Sequence, residues 1–134
     1  MTFINFSDSD KVNVGVIDSQ HKDIVDAINK IYNSAQHNNK PDVSKFLNVL
    51  IEIIETHFET EEKFMKEFHY PGYISHKLEH DRFYNQIIIT TDRFNKGDLE
   101  IDNEQLDKLK RWFFNHLDIN DKKCGDYLRT KGIS

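Results

Sequence analysis

The sequence has very little cysteine and no long apolar run. Cys124 is its only cysteine, so no disulfide can form within the chain, and the composition fits a reducing compartment. The first residues lack the basic segment and apolar run of a secretory signal. No stretch approaches the ~18 consecutive apolar residues that a membrane span needs. We therefore predict a cytoplasmic protein with no membrane span.

Blocks of basic residues are also missing. The formal net charge is −5, and the lysines and arginines are scattered along the chain. This distribution argues against nucleic acid or an anionic membrane as the main partner. The sequence also contains no His-Glu-x-x-His, no Cys-x-x-Cys and no phosphate-binding glycine loop, which sets several common classes of site aside.

The chain does contain enough apolar material for one folded core. Its 134 residues, among them ten Phe, five Tyr and one Trp, fit a single domain that we place at 1–134. Residues 1–17 show no helical period and are predicted to form an extended arm. Four later segments carry apolar residues at steps of three and four, the pattern of amphipathic helices, and none alternates as a strand would.

Polar and turn-forming residues mark the ends of these segments. The predicted boundaries are a first helix capped by Asp18 or Ser19 and ended by residues 36–41, a second from near Asp42 to Pro71, a third from Tyr73 to Phe94, a fourth capped by Asp102, and a short helix around residues 122–129. Four amphipathic helices with short connections predict an all-α, up-down-up-down four-helix bundle with an N-terminal arm and a short C-terminal helix.

All four apolar faces are interrupted by side chains that commonly bind metals. Burying such groups without partners would cost roughly 1–3 kcal/mol each, whereas a metal ion would give each of them a bond. A single buried histidine is more often a hydrogen-bonded core residue, but that explanation does not account for five on four faces. The predicted metal ligands are His21, His57, Glu61, His76, His80, His116 and Asp121.

The spacing of these residues supports shared sites. His57 and Glu61, like His76 and His80, are four apart, which places their Cβ atoms about 5–6 Å from each other on a helix. His116 and Asp121 are five apart, about 140° around an ideal helix, so we expect the helix to end or distort between them.

The number of ligands predicts a pair of ions. Five imidazoles and two carboxylates are too many for one ion, while two ions bridged by both carboxylates and a shared oxide or hydroxide account for the set. Dividing the histidines three and two leaves one ion a coordination position short, where a small molecule such as O₂ would bind. No Glu-x-x-His occurs, so the carboxylate-rich pattern of ferritin-like oxidases is missing. Zinc or manganese remains an alternative to iron.

Several other candidates are predicted to have no role at the site. His37 and His69 fall in connections between helices and should be exposed. Cys124 is interpreted as a small apolar filler. Of the acidic group Glu59, Glu61 and Glu62, only Glu61 is predicted to point inward.

The motifs together resemble the hemerythrin family, in particular its single-domain bacterial members, over about residues 12 to 128. The resemblance is carried by the run from Val14 to Lys22, by His57-Phe58-x-x-Glu61-Glu62, by His76-x-x-x-His80 and by His116-x-x-x-x-Asp121. It implies two non-haem irons with O₂ as ligand.

The same resemblance implies a role for each ligand. His76, His80 and His116 would bind one iron, and His21 and His57 the other. Glu61 and Asp121 would bridge them, and the two-histidine iron would carry the vacant position. The implied walls of the O₂ pocket are Ile24, Phe58, Trp112, Phe113 and Leu117.

The chain departs from the bacterial pattern at two positions. Phe113 stands where relatives commonly have a smaller aliphatic residue, and Cys124 where they commonly have a tyrosine. The first departure bears on access of ligands, and the second removes any hydrogen bond that the tyrosine would make.

The function implied is reversible O₂ binding, for carriage, storage or delivery to an oxygen-using enzyme, with no enzymatic activity of its own and a monomer favoured. Two alternatives remain open at this stage. One is a sensor of O₂, NO or redox state, and the other a di-iron oxidase or peroxidase.

Overall fold

The computed structural model describes residues 3–134, which form a four-helix bundle as the sequence predicts. The four long helices are α1 (Gly15–Gln36), α2 (Lys40–Glu67), α3 (Tyr73–Asn95) and α4 (Asn103–His116). A single turn of π-helix, Leu117–Asp121, follows α4 directly and leads into α5 (Lys122–Thr130). Residues 3–134 contain no strand, and none of their helices has both the length and the apolar character to cross a membrane.

The predicted N-terminal arm lies along the bundle, with one short 3-10 turn at Asp8–Asp10. The side chain of Asn29 holds it in place, because its amide accepts from the Ile4 N–H and donates to the Ile4 carbonyl, both at 2.9 Å. The ring of Phe3 stacks on Tyr32 with 4.4 Å between centroids.

The predicted cap of α1 is wrong, because the helix begins at Gly15, before Asp18 and Ser19. Asp18 instead lies in the first turn, and its carboxylate accepts hydrogen bonds from the backbone N–H groups of Val12 and Asn13 at 2.8 and 3.0 Å. The early start buries Ile17 completely. Asp18 therefore ties the arm to the helix rather than opening the helix.

The other helix boundaries lie close to their predicted positions. α2 begins two residues before Asp42, with Asn39 as its N-cap and Pro41 in its first turn, where the missing proline N–H costs nothing. Asp102 caps α4 by accepting from the Gln105 N–H at 3.0 Å, as predicted.

Two apolar clusters fill the bundle, and the predicted metal ligands fall close to the points where the chain passes from one cluster to the other. On α1, Ile17 belongs to the smaller cluster and Ile24 to the larger one, with His21 between. Leu117 and Cys124 lie on either side of Asp121 in the same way. The fold thus places one polar layer between two dry layers.

The short helix α5 closes the end of the bundle beneath this polar layer. The hydroxyl of Tyr127 donates to the Phe68 carbonyl at 2.6 Å, and the guanidinium of Arg129 donates to the Val12 carbonyl. Gly125 allows the close approach, because a Cβ there would stand 2.9 Å from Cβ of Val12.

Candidate metal centre

One group of the polar layer contains three of the five buried histidines. Glu61, His76, His80, His116 and Asp121 each offer a ligand atom, and these atoms lie within 4.8 Å of one another. Oδ1 of Asp121 is 3.0 Å from Nε2 of both His76 and His116. Oε1 of Glu61 is 3.1 Å from Nε2 of His80. We call this set the three-histidine group.

A second group contains the other two histidines and shares both carboxylates with the first. His21, His57, Glu61 and Asp121 also bring their ligand atoms within 4.8 Å of one another. Oδ2 of Asp121 is 2.8 Å from Nε2 of His21, and Oε1 of Glu61 is 3.2 Å from Nε2 of His57. We call this set the two-histidine group. All seven predicted ligand residues are thus brought together, and Glu61 and Asp121 stand between the two groups.

The buried ends of these side chains lack hydrogen-bond partners. Within residues 3–134, both carboxylate oxygens of Glu61, Oδ1 of Asp121, and Nε2 of His76, His80 and His116 make no hydrogen bond although they are fully shielded from solvent. These atoms approach one another closely without hydrogen-bond geometry. Metal ligands that face a common ion are arranged in this way. Leaving these atoms unpaired would cost roughly 1–3 kcal/mol each. Imidazole and carboxylate donors that converge in this way fit transition-metal ions.

The pKa values of the groups in the polar layer also favour a bound cation. Burial opposes ionisation of Glu61 and Asp121, yet the neighbouring histidines outweigh it and hold the pKa of both carboxyls well below its usual range. Burial likewise opposes charge on His57 and His76, but the two carboxylates raise the pKa of His57 to about 9 and that of His76 to about 10. The two carboxylates therefore attract positive charge, which protons or metal cations can supply.

The π turn puts Asp121 in reach of His116. Its hydrogen bonds span five residues rather than four, so residues five apart return to nearly the same face. The predicted distortion between these two residues is therefore confirmed.

Three polar side chains hold histidines from outside the two groups. Nδ1 of His57 is 2.8 Å from the amide oxygen of Gln20, and Nδ1 of His80 is 3.0 Å from Oε2 of Glu62. The amide of Asn120 lies 3.2 Å from Nδ1 of His116. A hydrogen bond at Nδ1 fixes the ring and leaves Nε2 to face the centre.

The prediction that only Glu61 of its acidic group points inward is wrong for Glu62, since the Glu62 carboxylate contacts His80 and its side chain is only 19% exposed. Gln20 and Asn120 were missed altogether. Asn120 had a signal in the sequence, because it lies four residues after His116 on the same helical stretch. Gln20 had none, because its partner is on another helix.

Three of the five predicted pocket residues pack against histidines of one group or the other. The ring of Phe113 lies 5.7 Å from that of His21, on the two-histidine side. Phe58 stacks on His80 at 3.8 Å and Trp112 on His116 at 5.0 Å, both on the three-histidine side. Ile24 and Leu117 are buried in the larger apolar cluster.

The remaining candidates lie away from the centre. His37 and His69 are exposed, as expected. Cys124 is completely buried in the smaller apolar cluster, and burial raises the pKa of its thiol, so it remains a neutral filler.

A family model, curated relatives and solved structures all match this chain over most of its length. The family model described as the hemerythrin HHE cation binding domain matches residues 12–128. A bacteriohemerythrin of Methylococcus capsulatus is 33% identical over 87% of this chain and 88% of its own length. One from Stenotrophomonas maltophilia is 27% identical over 97% and 84%. A crystal structure of wild-type hemerythrin superposes with a TM-score of 0.90 at 30% identity, covering 95% of this chain and 98% of that one.

Proposed function

Because this chain belongs to the hemerythrin family, we propose that it holds a pair of iron ions and binds O₂ reversibly there. The ligands proposed are His76, His80 and His116 for one ion and His21 and His57 for the other, with Glu61 and Asp121 shared between them. The observation that carries the proposal is the position of these two carboxylates, each of which belongs to both groups of converging donors.

When bound in the reduced form, the irons held by these ligands would supply the electrons for holding O₂. The protein's own part is to orient the donors and to exclude water. Gln20 and Glu62 fix the rings of His57 and His80. The apolar residues of the larger cluster keep solvent away on their side of the layer, since Ile24, Leu117 and Phe113 are each at most 3% exposed. A dry pocket favours release of O₂ over its reduction.

The proposed role is carriage, storage or delivery of O₂ without catalysis, by a single domain spanning residues 1–134 in the cytoplasm. The walls of the O₂ pocket are proposed to be Ile24, Phe113 and Leu117, with Phe58 and Trp112 packing the histidines of the other half. Phe58 and Trp112 support this division of roles because they stack on His80 and His116.

The experiment is a measurement of iron per chain together with visible spectra of anaerobically reduced, air-exposed and then deoxygenated protein. We expect two irons per chain and a colour that appears with O₂ and disappears when O₂ is removed. Glu61→Ala should lose the iron. Glu59→Ala is its control and should keep it, because Glu59 is exposed on the same helix. Irreversible oxidation, with a substrate consumed or peroxide released steadily, would replace the proposal by an oxidase or peroxidase. A change in helix hydrogen exchange on binding O₂ or NO would favour a sensor.

A further inference from the structure

The two groups differ in the charge of the residue that holds a histidine from outside. Nδ1 of His80, in the three-histidine group, faces the carboxylate of Glu62 at 3.0 Å. Nδ1 of His57, in the two-histidine group, faces the amide oxygen of Gln20 at 2.8 Å. The three-histidine group therefore has a negative charge next to one of its histidines, whereas the two-histidine group has a neutral amide in the same position.

The remaining contacts at Nδ1 of the ligand histidines are neutral, so the charge difference comes from Glu62 alone. His116 of the three-histidine group has the Asn120 amide at its Nδ1. His21 of the two-histidine group is fully buried, and its Nδ1 has no hydrogen-bond partner among residues 3–134. No acidic side chain thus stands at Nδ1 of either histidine of the two-histidine group within the described chain.

Both outer residues are held in place by further contacts. Nε2 of Gln20 donates to the Thr60 hydroxyl at 2.9 Å, and that hydroxyl donates to the Thr56 carbonyl, so the amide oxygen must face His57. Oε1 of Glu62 lies 3.7 Å from Nζ of Lys77, which also binds Asp81 at 3.0 Å. The asymmetry is therefore part of the fold rather than one choice among several rotamers.

The charge of the acceptor changes how strongly a histidine donates to a metal. A carboxylate takes a stronger hydrogen bond from Nδ1–H than an amide does, which makes Nε2 more electron-rich. Electron-rich ligands stabilise the higher oxidation state of an iron, and hydrogen bonding around the ligands is one of the levers on its potential.

We propose that Glu62, acting through His80, is a positioning residue that makes the ion of the three-histidine group the first of the pair to lose an electron. Gln20, acting through His57, leaves the ion of the two-histidine group to be oxidised second. The proposal depends on the iron pair proposed above but not on reversible O₂ binding. Each step transfers one electron from one ferrous ion to a one-electron oxidant, and no proton or bond is needed to balance it.

The test is an anaerobic titration of the iron-loaded, reduced protein with ferricyanide, which resolves the first and second one-electron steps. In Glu62→Gln we expect the first step to shift to higher potential by about tenfold in its equilibrium constant, about 59 mV, while the second stays in place. In Gln20→Glu we expect the second step to shift to lower potential. The matched control is Glu59→Gln, which removes the same charge from the same helix at an exposed position.

A second variant, expected to shift the potential of the first step in the opposite direction, distinguishes the proposed effect from a general loss of structure in Glu62→Gln. Lys77→Met removes the cation beside Glu62 and should lower the potential of the first step, whereas Lys63→Met, at an exposed position on α2, should not. Loosening of the site cannot give shifts of opposite sign in Glu62→Gln and Lys77→Met.

Three results would overturn the proposal: equal shifts in Glu62→Gln and Glu59→Gln, a shift of the first step in Gln20→Glu, or no difference between the two lysine variants. Absence of paired iron from the unsubstituted chain would overturn this proposal and the proposed function together. Paired iron with the expected shifts but no reversible O₂ binding would overturn the function alone.

Discussion

Oδ1 of Asp121 lies 3.0 Å from Nε2 of His116, although five residues separate them along the chain. On a regular α-helix the two side chains would point about 140° apart. The π turn at Leu117–Asp121 removes that difference by adding one residue to a single turn. One irregular turn therefore supplies one of the two carboxylates that both groups share.

This geometry predicts opposite effects for a deletion and an insertion in the turn. Deleting Ile119, which is 68% exposed, should convert the π turn to α-helix, put the carboxylate four residues after His116 and keep two irons per chain. Inserting an alanine after Ile119 should rotate Asp121 and α5 by about 100° and lose both irons. Metal analysis of the two purified variants checks this. Iron retained after the insertion but lost after the deletion would contradict the role given to the turn.

Replacing Glu61 by alanine should empty both halves of the centre. Its Oε1 lies within 3.5 Å of Nε2 of His57, His76 and His80, so both groups lose a donor at once. Iron per chain should fall from two to near zero, while Glu59→Ala should keep the full amount. A Glu61→Ala protein that kept paired iron with an unchanged spectrum would show that Glu61 is not shared.

Phe113→Leu should speed loss of bound O₂ and conversion to the oxidised form. The ring lies 5.7 Å from that of His21, and a smaller side chain leaves space through which water reaches the two-histidine group. Phe94→Leu is the control, because Phe94 is also buried but lines the opposite end of the larger cluster. Both variants should lose about 1 kcal/mol of stability. Stopped-flow release and the rate of spectral decay are the measurements, and equal rates in the two variants would contradict the assignment.

Removing the metal should lower the melting temperature. The donor atoms converge only in the folded chain, so binding free energy adds to folding free energy. With free iron at about a hundred times its dissociation constant the gain is about 2.7 kcal/mol, enough to shift the transition by about 10 °C. Calorimetry of chelated and loaded samples measures the difference. Identical transitions would mean that the metal does not bind the native site.

The metal-free protein should lose stability as the pH rises from neutral to alkaline. The folded pKa values of His57 and His76, about 9 and about 10, lie above the ordinary value of 6.5, so the folded state binds more protons in this range. The slope of unfolding free energy against pH is then negative. The contribution is complete below pH 6.5 and disappears as the pH passes 9 and 10. Denaturant titrations of chelated protein at pH 6, 8 and 10 test this, and a midpoint that rises across the series would contradict it.

The sequence predicted the metal-ligand candidates that point into the core much better than the residues that hydrogen-bond to the ligand histidines. His21 and Glu61 were predictable because they continue apolar faces with helical spacing. Gln20 and Glu62 are their chain neighbours, yet each contacts a histidine on another helix, and that distance depends on how the helices pack. The start of α1 was missed for a related reason, because Asp18 bonds backbone groups before the helix, and its residue type alone suggested a cap.

The shared carboxylates also have a consequence for the timing of folding. His21 and Asp121, whose side chains lie 2.8 Å apart, are separated by 100 positions along the chain. Closing so long a loop carries a large entropy cost, so this contact is expected to form after the local helix pairs. Interactions absent from the folding transition state act on the unfolding rate rather than the folding rate. Bound metal should therefore lengthen the lifetime of the native state many times over, while the bundle assembles at nearly the same speed with or without it.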